Sequence, residues 1–175
     1  MKWNEMINDG YGRILETMER VLNGLTYEDL KWQPSSETNP IGWLCWHLTR
    51  GQDRQIADLM GEEQVWMKSK WYEKFNRPGN PRDMGTGQTL EQVAAFEPPD
   101  TEVLLGYLRE TTERTQNYLN TISEDGLDRE LNEPQWTPVP TVGVRIVSIL
   151  ADNLQHAGQA AYVRGLKHGK GWQSF

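Results

Sequence analysis

Asp152 and His156, two residues of one helix-forming segment, could bind a divalent metal ion together. They lie in residues 141–166, where apolar residues recur mostly at helical spacing. Because they stand four residues apart, a helix would place them one above the other on its apolar side. Burying a carboxylate and an imidazole costs free energy unless a partner satisfies both, and a divalent metal would do so.

His47 supplies a third donor from a separate segment. It lies among the apolar residues of segment 40–60, away from the charged side of that segment. Two imidazole nitrogens and one carboxylate oxygen suit Zn, Ni, Fe or Mn, with positions left open for water or substrate. The chain has three histidines, and we expect the third, His168, to be solvated because its neighbours are Gly169 and Lys170.

The same residues also fit a bundle core without a metal. An inward histidine is more often hydrogen-bonded inside a core than bound to an ion, and an aspartate four residues before a histidine is a weak signal. Asp152 could also pair with Arg145 or Arg50, or orient the nearby imidazole. A hydrogen-bonded polar cluster of His47, Asp152 and His156 therefore stays open at this point.

Four amphipathic helices are predicted to position these residues. Each predicted helix carries an apolar stripe at helical spacing, with charged residues mostly outside that stripe. Asn39 is the expected N-cap of the second helix, and Pro40 is its expected first residue. The approximate bounds of the four helices are 2–23, 40–60, 100–122 and 141–166.

These helices predict an all-α fold, a four-helix bundle with long loops that forms a single domain over residues 1–175. Bundle cores commonly hold metals between residues of facing helices. The loop over residues 76–88 contains two prolines and three glycines and is long enough to have a function of its own. The loop lengths leave the up-and-down order of the helices unspecified.

The composition argues against several classes of partner. The formal net charge of −7 disfavours binding to DNA, RNA or any other nucleic acid and to anionic membrane surfaces. The single cysteine rules out an internal disulfide, and no segment reaches the length of a membrane span. We therefore expect a cytoplasmic protein. The apolar and aromatic residues, including eight Trp and six Tyr, exceed the needs of one bundle and favour a homodimer.

Three segments of the chain resemble the DinB/YfiT superfamily. They are GWLCWHL at residues 42–48, DNLQHAGQ at residues 152–159 and YVRG at residues 162–165. The superfamily comprises four-helix metalloproteins, among them bacterial thiol-dependent S-transferases and the N-terminal domain of mycothiol-dependent maleylpyruvate isomerase. Its pattern places one histidine on the second helix and two histidines, four apart, on the last. His47 and His156 match the first and last of these, and Asp152 replaces the middle one.

The resemblance implies that His47, Asp152 and His156 bind a divalent metal, which activates a low-molecular-weight thiol as a metal-bound thiolate. The thiolate would attack a small electrophile, so the implied partners are a small-molecule thiol and an electrophile. No catalytic side chain is assigned, since Cys45 would lie on the opposite side of its helix from His47. A hydrolase, a non-catalytic metal- or ligand-binding protein linked to stress, and a purely structural bundle are the alternatives.

Four further residues are candidates for contact with the substrate. Arg50 and Arg145 could each hold a substrate carboxylate, and an ion pair with another side chain is the alternative role for both. Trp43 could form a pocket wall or belong to the core. Gln159 stands three residues after His156 and could hydrogen-bond to a ligand or satisfy a backbone group.

Overall fold

The computed structural model describes residues 1–172 and consists of helices joined by loops. The eight helices of this part of the chain are α1 (Trp3–Leu22), α2 (Tyr27–Lys31), α3 (Ile41–Met60), α4 (Val65–Lys68), α5 (Trp71–Lys74), α6 (Leu90–Ala94), α7 (Thr101–Leu119) and α8 (Val142–His168). A single 3-10 turn at Asp125–Asp128 precedes α8. Residues 1–172 contain no β-strand, and the predicted all-α bundle is confirmed.

The four long helices surround one core, with α1 and α3 on opposite corners and α7 and α8 between them. Helices α1 and α8 run in the same direction, because Gly10 lies against Leu150 while Arg164 donates to the backbone carbonyl of Val21. Helix α7 runs against α1, since Asn8 in the first half of α1 bonds to Asn120 just after α7, whereas Glu19 near the end of α1 pairs with Arg109 in the first half of α7.

Helix α3 runs against α8, and this pairing builds the candidate site. His47 near the start of α3 meets His156, while Gly51, one turn later, lies next to Asp152, which stands one turn earlier on α8. The chain order of the long helices is therefore up, down, down, up. Because α3 and α7 run in the same direction, the segment between them must return along the length of the bundle, and residues 61–100 provide this long connection.

The start of α3 differs by one residue from the sequence prediction. Pro40, and not Asn39, is the N-cap, and its carbonyl accepts the backbone N–H of Leu44 at 3.0 Å. Pro40 has an extended backbone with ψ of 159°, so it ends the preceding loop and does not form the first helical turn. The helix begins at Ile41.

Helix α8 continues further than the sequence predicts. Thr141 caps its start by accepting the backbone N–H of Val144 at 3.3 Å, and the helix ends at His168. Lys167 and His168 approach Oδ1 of Asp29 on α2 at 2.7 and 3.1 Å. His168 is exposed, as the sequence predicts, but it is the last residue of α8 and has a carboxylate partner.

The apolar residues of α8 lie on two different faces. Ile149, Ala157 and Val163 are buried against the other long helices. In contrast, Val147 and Leu154, which the sequence pattern grouped with them, are 55% and 50% exposed. Among the described residues, no helix is long and apolar enough to cross a lipid bilayer.

Candidate metal centre

His47, Asp152 and His156 converge where α3 faces α8. Each offers one ligand atom, and these three atoms lie within 4.8 Å of one another. The imidazole rings of His47 and His156 are nearly perpendicular, with centroids 4.7 Å apart, and Nε2 of His156 lies 3.5 Å from Oδ1 of Asp152. The structure therefore brings together the three residues that the sequence proposed as ligands.

Both histidines are oriented by hydrogen bonds at their Nδ1 atoms. Nδ1 of His47 contacts the backbone carbonyl of Met84, and Nδ1 of His156 lies 2.8 Å from Oε1 of Gln159. Since both partners are acceptors, each Nδ1 carries a proton and donates it. Both rings therefore direct Nε2 towards the centre, which is the arrangement usually found around metal-bound histidines, and Nε2 of His156 faces Asp152.

The contact between His156 and Asp152 needs a positive charge. With Nδ1 of His156 protonated, its neutral Nε2 would present a lone pair to a carboxylate oxygen, and two acceptors do not attract each other. A proton on Nε2 or a cation between the two groups satisfies both. The hydrogen bond with Asp152 raises the pKa of His156 above its ordinary 6.5, and the same bond lowers the pKa of the Asp152 carboxyl.

His47 is shifted in the opposite direction. Burial lowers the pKa of His47 below 6.5, so its ring is neutral near pH 7 and ready to act as a ligand. A metal at the usual distance of about 2.1 Å from each ligand would hold its donor atoms about 3–4 Å apart. The three donors lie within 4.8 Å of one another, so small side-chain movements would bring them to that spacing, and their types suit Zn, Ni, Fe or Mn. The residues therefore fit a divalent metal.

A cleft of about 430 Å³ opens beside the three ligands. His47 and Asp152 line it, together with residues 84–88 of the long loop. Trp43 forms one wall: its ring stacks on His47 with centroids 4.5 Å apart, and its Nε1 donates to Gln88 at 2.8 Å. The half-exposed carboxylate of Asp152 keeps the centre accessible from this cleft.

The loop reaches Trp43 through a glycine that no other residue could easily replace. Gly85 has φ of +87°, a left-handed conformation that glycine adopts without strain. A Cβ at this position would also lie 2.7 Å from the Trp43 ring. The backbone can therefore rest directly against the indole, which puts the carbonyl of Met84 next to His47.

Arg50 holds this loop in place. Its guanidinium is fully buried and donates to the backbone carbonyls of Asp83 at 2.9 Å and Pro81 at 3.0 Å. These bonds fix the loop just before Met84, whose carbonyl orients His47. Arg50 therefore positions the loop, and its burial leaves no donor facing the cleft for the substrate contact that the sequence suggested.

The other candidate substrate residues have distinct surroundings. Arg145 pairs with Glu133, which matches the ion-pair alternative. Gln159 bonds to His156 and acts through that ligand. Trp43 alone of the four lines the cleft beside the ligands. Sequence reasoning missed Met84, because it acts through its backbone carbonyl and its side-chain type carries no signal.

The bundle and its two histidines and one carboxylate define a helical protein with a candidate metal centre in its core. The family model of the DinB superfamily matches residues 12–160, and the chain belongs to this superfamily. The chain is also similar to the crystal structure of a conserved protein from Enterococcus faecalis, with a TM-score of 0.89 and 30% sequence identity. That similarity covers 97% of this chain and 99% of the other. No curated protein matches the chain.

Proposed function

We propose that this member of the DinB superfamily is a divalent-metal-dependent thiol S-transferase acting in a reducing compartment, the cytoplasm. The observation that carries the proposal is the convergence of two imidazoles and one half-exposed carboxylate at the edge of an open cleft. His47, Asp152 and His156 would hold the metal. When bound, a divalent metal lowers the pKa of a coordinated thiol and so supplies a thiolate near neutral pH.

The remaining residues of the cleft would orient the two substrates. The Trp43 ring offers a flat apolar wall beside the ligands, and the backbone of residues 84–88 forms the opposite side. In the reaction, a bond forms between the thiol sulfur and a carbon of the electrophile, while the bond from that carbon to its leaving group breaks. The thiol proton passes to solvent through the open mouth of the cleft.

The donor set also favours a second candidate, a metal-dependent hydrolase. Two histidines and one carboxylate hold zinc in hydrolases, where the open position takes a water molecule. The same cleft would then admit an ester or amide in place of an electrophile. A non-catalytic metal-binding role requires the same ligands and no turnover, so activity measurements separate the three possibilities.

The test measures thiol conjugation by protein loaded with Zn, Ni, Fe or Mn in turn. A panel of cysteine, glutathione, coenzyme A and mycothiol is mixed with 1-chloro-2,4-dinitrobenzene, and product absorbance is followed. We expect turnover with at least one thiol, loss on chelation and in His156→Ala, and retention in Gln155→Ala, which changes an exposed neighbour on α8. Full metal loading without thiol turnover would contradict the transferase, and hydrolysis of nitrophenyl esters would then support the second candidate.

A further inference from the structure

The outward side of α8 carries no charged residue. Ten residues between Val142 and Leu166 are exposed, and we call them the α8 face. They are Val144, Val147, Ser148, Ala151, Leu154, Gln155, Gly158, Gln159, Tyr162 and Leu166. A helix that faces water normally has charged and polar residues on its outer side. The α8 face therefore has the composition of a surface that is covered.

The other long helices show how unusual this is within the molecule. Six residues of α1 are exposed, and all but Met6 are charged. Four residues of α7 are exposed, and all but Asn117 are charged. All three helices belong to the same protein in the same solvent. The lack of exposed charged residues on α8 therefore indicates that its outer surface contacts something other than water.

The charged residues between Val142 and Leu166 all contact other parts of the same chain. Arg145 pairs with Glu133, and Arg164 donates to backbone carbonyls at the end of α1. Asp152 belongs to the candidate metal centre. Each charged residue in this part of α8 therefore lies where another group of the same chain can interact with it.

We propose that two copies of this chain pair through their α8 faces in an antiparallel arrangement with two-fold symmetry. The centre of the face contains Leu154 and Gln155, the small residues Ala151 and Gly158 lie on either side of them, and Val147 and Tyr162 follow further out. In the antiparallel pairing, each Leu154 lies near the partner's Leu154, each Ala151 lies near the partner's Gly158, and each Tyr162 lies near the partner's Val147. Because each small residue meets another and each end meets the opposite end, the surface is self-complementary.

Charge and size both favour a second copy as the occupant. Each chain has a net charge of −7, so two copies repel except where carboxylates are absent, and the α8 face meets that condition. The α8 face, from Val144 to Leu166, extends about 33 Å along a helix about 12 Å wide, which gives a footprint of about 400 Å². Two such footprints total about 800 Å², the size of a small, reversible interface.

The pairing would also complete a cavity next to the candidate metal centre. Tyr162 and Leu166 of the α8 face line a cavity of about 320 Å³, which Gln159 also lines. Gln159 bonds to His156, so this cavity lies on the far side of that ligand. A second copy on the α8 face would form a further wall of it. The pairing itself does not depend on the proposed activity.

Sedimentation equilibrium of the full chain tests the pairing. We expect the parent to show twice the chain mass of 20.2 kDa at micromolar concentration. Leu154→Glu should dissociate at least about 100-fold more readily, because two carboxylates would be buried near the two-fold axis. Leu90→Glu is the matched control, since Leu90 is 49% exposed and Leu154 is 50% exposed, and it should remain a dimer. Circular dichroism confirms that both variants are folded.

Disulfide trapping with diamide tests the antiparallel arrangement. Leu154→Cys lies near the two-fold axis and should cross-link to the same residue of the second copy. Val144→Cys lies near one end of the face and should not cross-link. The native Cys45 is buried and does not take part. A monomeric parent at all concentrations, or a dimer that Leu154→Glu leaves intact, would overturn the proposal. Cross-linking of Val144→Cys would overturn the antiparallel arrangement, and a monomer that binds phosphatidylcholine vesicles would assign the face to lipid.

Discussion

Helix α3 contributes to two polar clusters that differ in how completely the protein satisfies them. In the Asp53 cluster, the carboxylate of Asp53 is buried and accepts the backbone N–H groups of Val65 and Trp66, both at 2.8 Å, and the hydroxyl of Tyr107 at 2.7 Å. Arg50 adds a charge partner at 3.4 Å. In the candidate metal centre, Asp152 is half-exposed and its ionic contact is with His156 at 3.5 Å.

The difference separates a carboxylate that holds the fold from one that is available to bind. Asp53 ties α3 to the segments that contain α4 and α7, and its oxygens have no capacity left for a ligand. Asp152 has a single ionic partner, Nε2 of His156, and both neighbouring imidazoles are held at Nδ1, which leaves their Nε2 atoms directed at the centre. Because unsatisfied polar groups in a bundle core cost free energy, an open cluster at the mouth of a cleft indicates a binding site.

The largest effect is on the free energy of unfolding, and it is expected from disrupting the Asp53 cluster. Asp53→Ala would leave the buried guanidinium of Arg50 without its counter-charge and should lower the free energy of unfolding by about 3–5 kcal/mol. Asp152→Ala is the matched change in the candidate metal centre. It should lower the free energy of unfolding by no more than about 1 kcal/mol, because the Asp152 carboxylate is solvated. Urea denaturation of metal-free protein measures both. Equal losses would remove the distinction between the two clusters.

An intermediate effect is expected when the support of a proposed ligand is removed. Gln159→Leu deletes the acceptor at Nδ1 of His156 and frees the ring to change tautomer. Metal affinity should fall about 10–100-fold, as for other residues that orient metal-bound histidines. Gln155→Leu is the control, since Gln155 bonds only to the backbone of Ala151. Competition with a fluorescent zinc chelator measures the affinities, and an unchanged value for Gln159→Leu would show that His156 is not held in this way.

A smaller effect is expected from pH. The pKa of His156 is raised, so protons compete with the metal for its Nε2 as pH falls through that pKa. Below it, affinity should fall by about tenfold per pH unit, and above it the dependence should flatten. Proton NMR of metal-free protein provides an independent check: His156 should titrate above pH 6.5 and His47 below it. The reverse order would contradict the roles given to the two rings.

The sequence predicted the bundle and the ligand set because both depend on short-range spacing. Apolar periodicity gave the four long helices to within a few residues of their observed ends. The spacing of Asp152 and His156 put them on one side of α8, and His47 lay on the apolar side of α3. Only the packing of α3 against α8 was needed to bring the three together.

Other features depend on contacts that spacing does not encode. Apolar periodicity alone did not distinguish the buried Ile149 from the exposed Leu154, because α8 has apolar residues on both sides. The buried position of Arg50 depends on backbone carbonyls of a loop more than 30 residues away. Met84 acts through a backbone atom. These features required the three-dimensional structure.

The most direct test of the account is the metal content of untagged protein purified without chelator, measured by mass spectrometry. We expect close to one Zn, Ni, Fe or Mn per chain in the parent and in Gln155→Ala, and loss of that metal in both His47→Ala and His156→Ala. A parent that contains no metal and takes up none of these ions when they are added would contradict the account. The three residues would then be a hydrogen-bonded polar cluster, and the proposed transferase would have no centre.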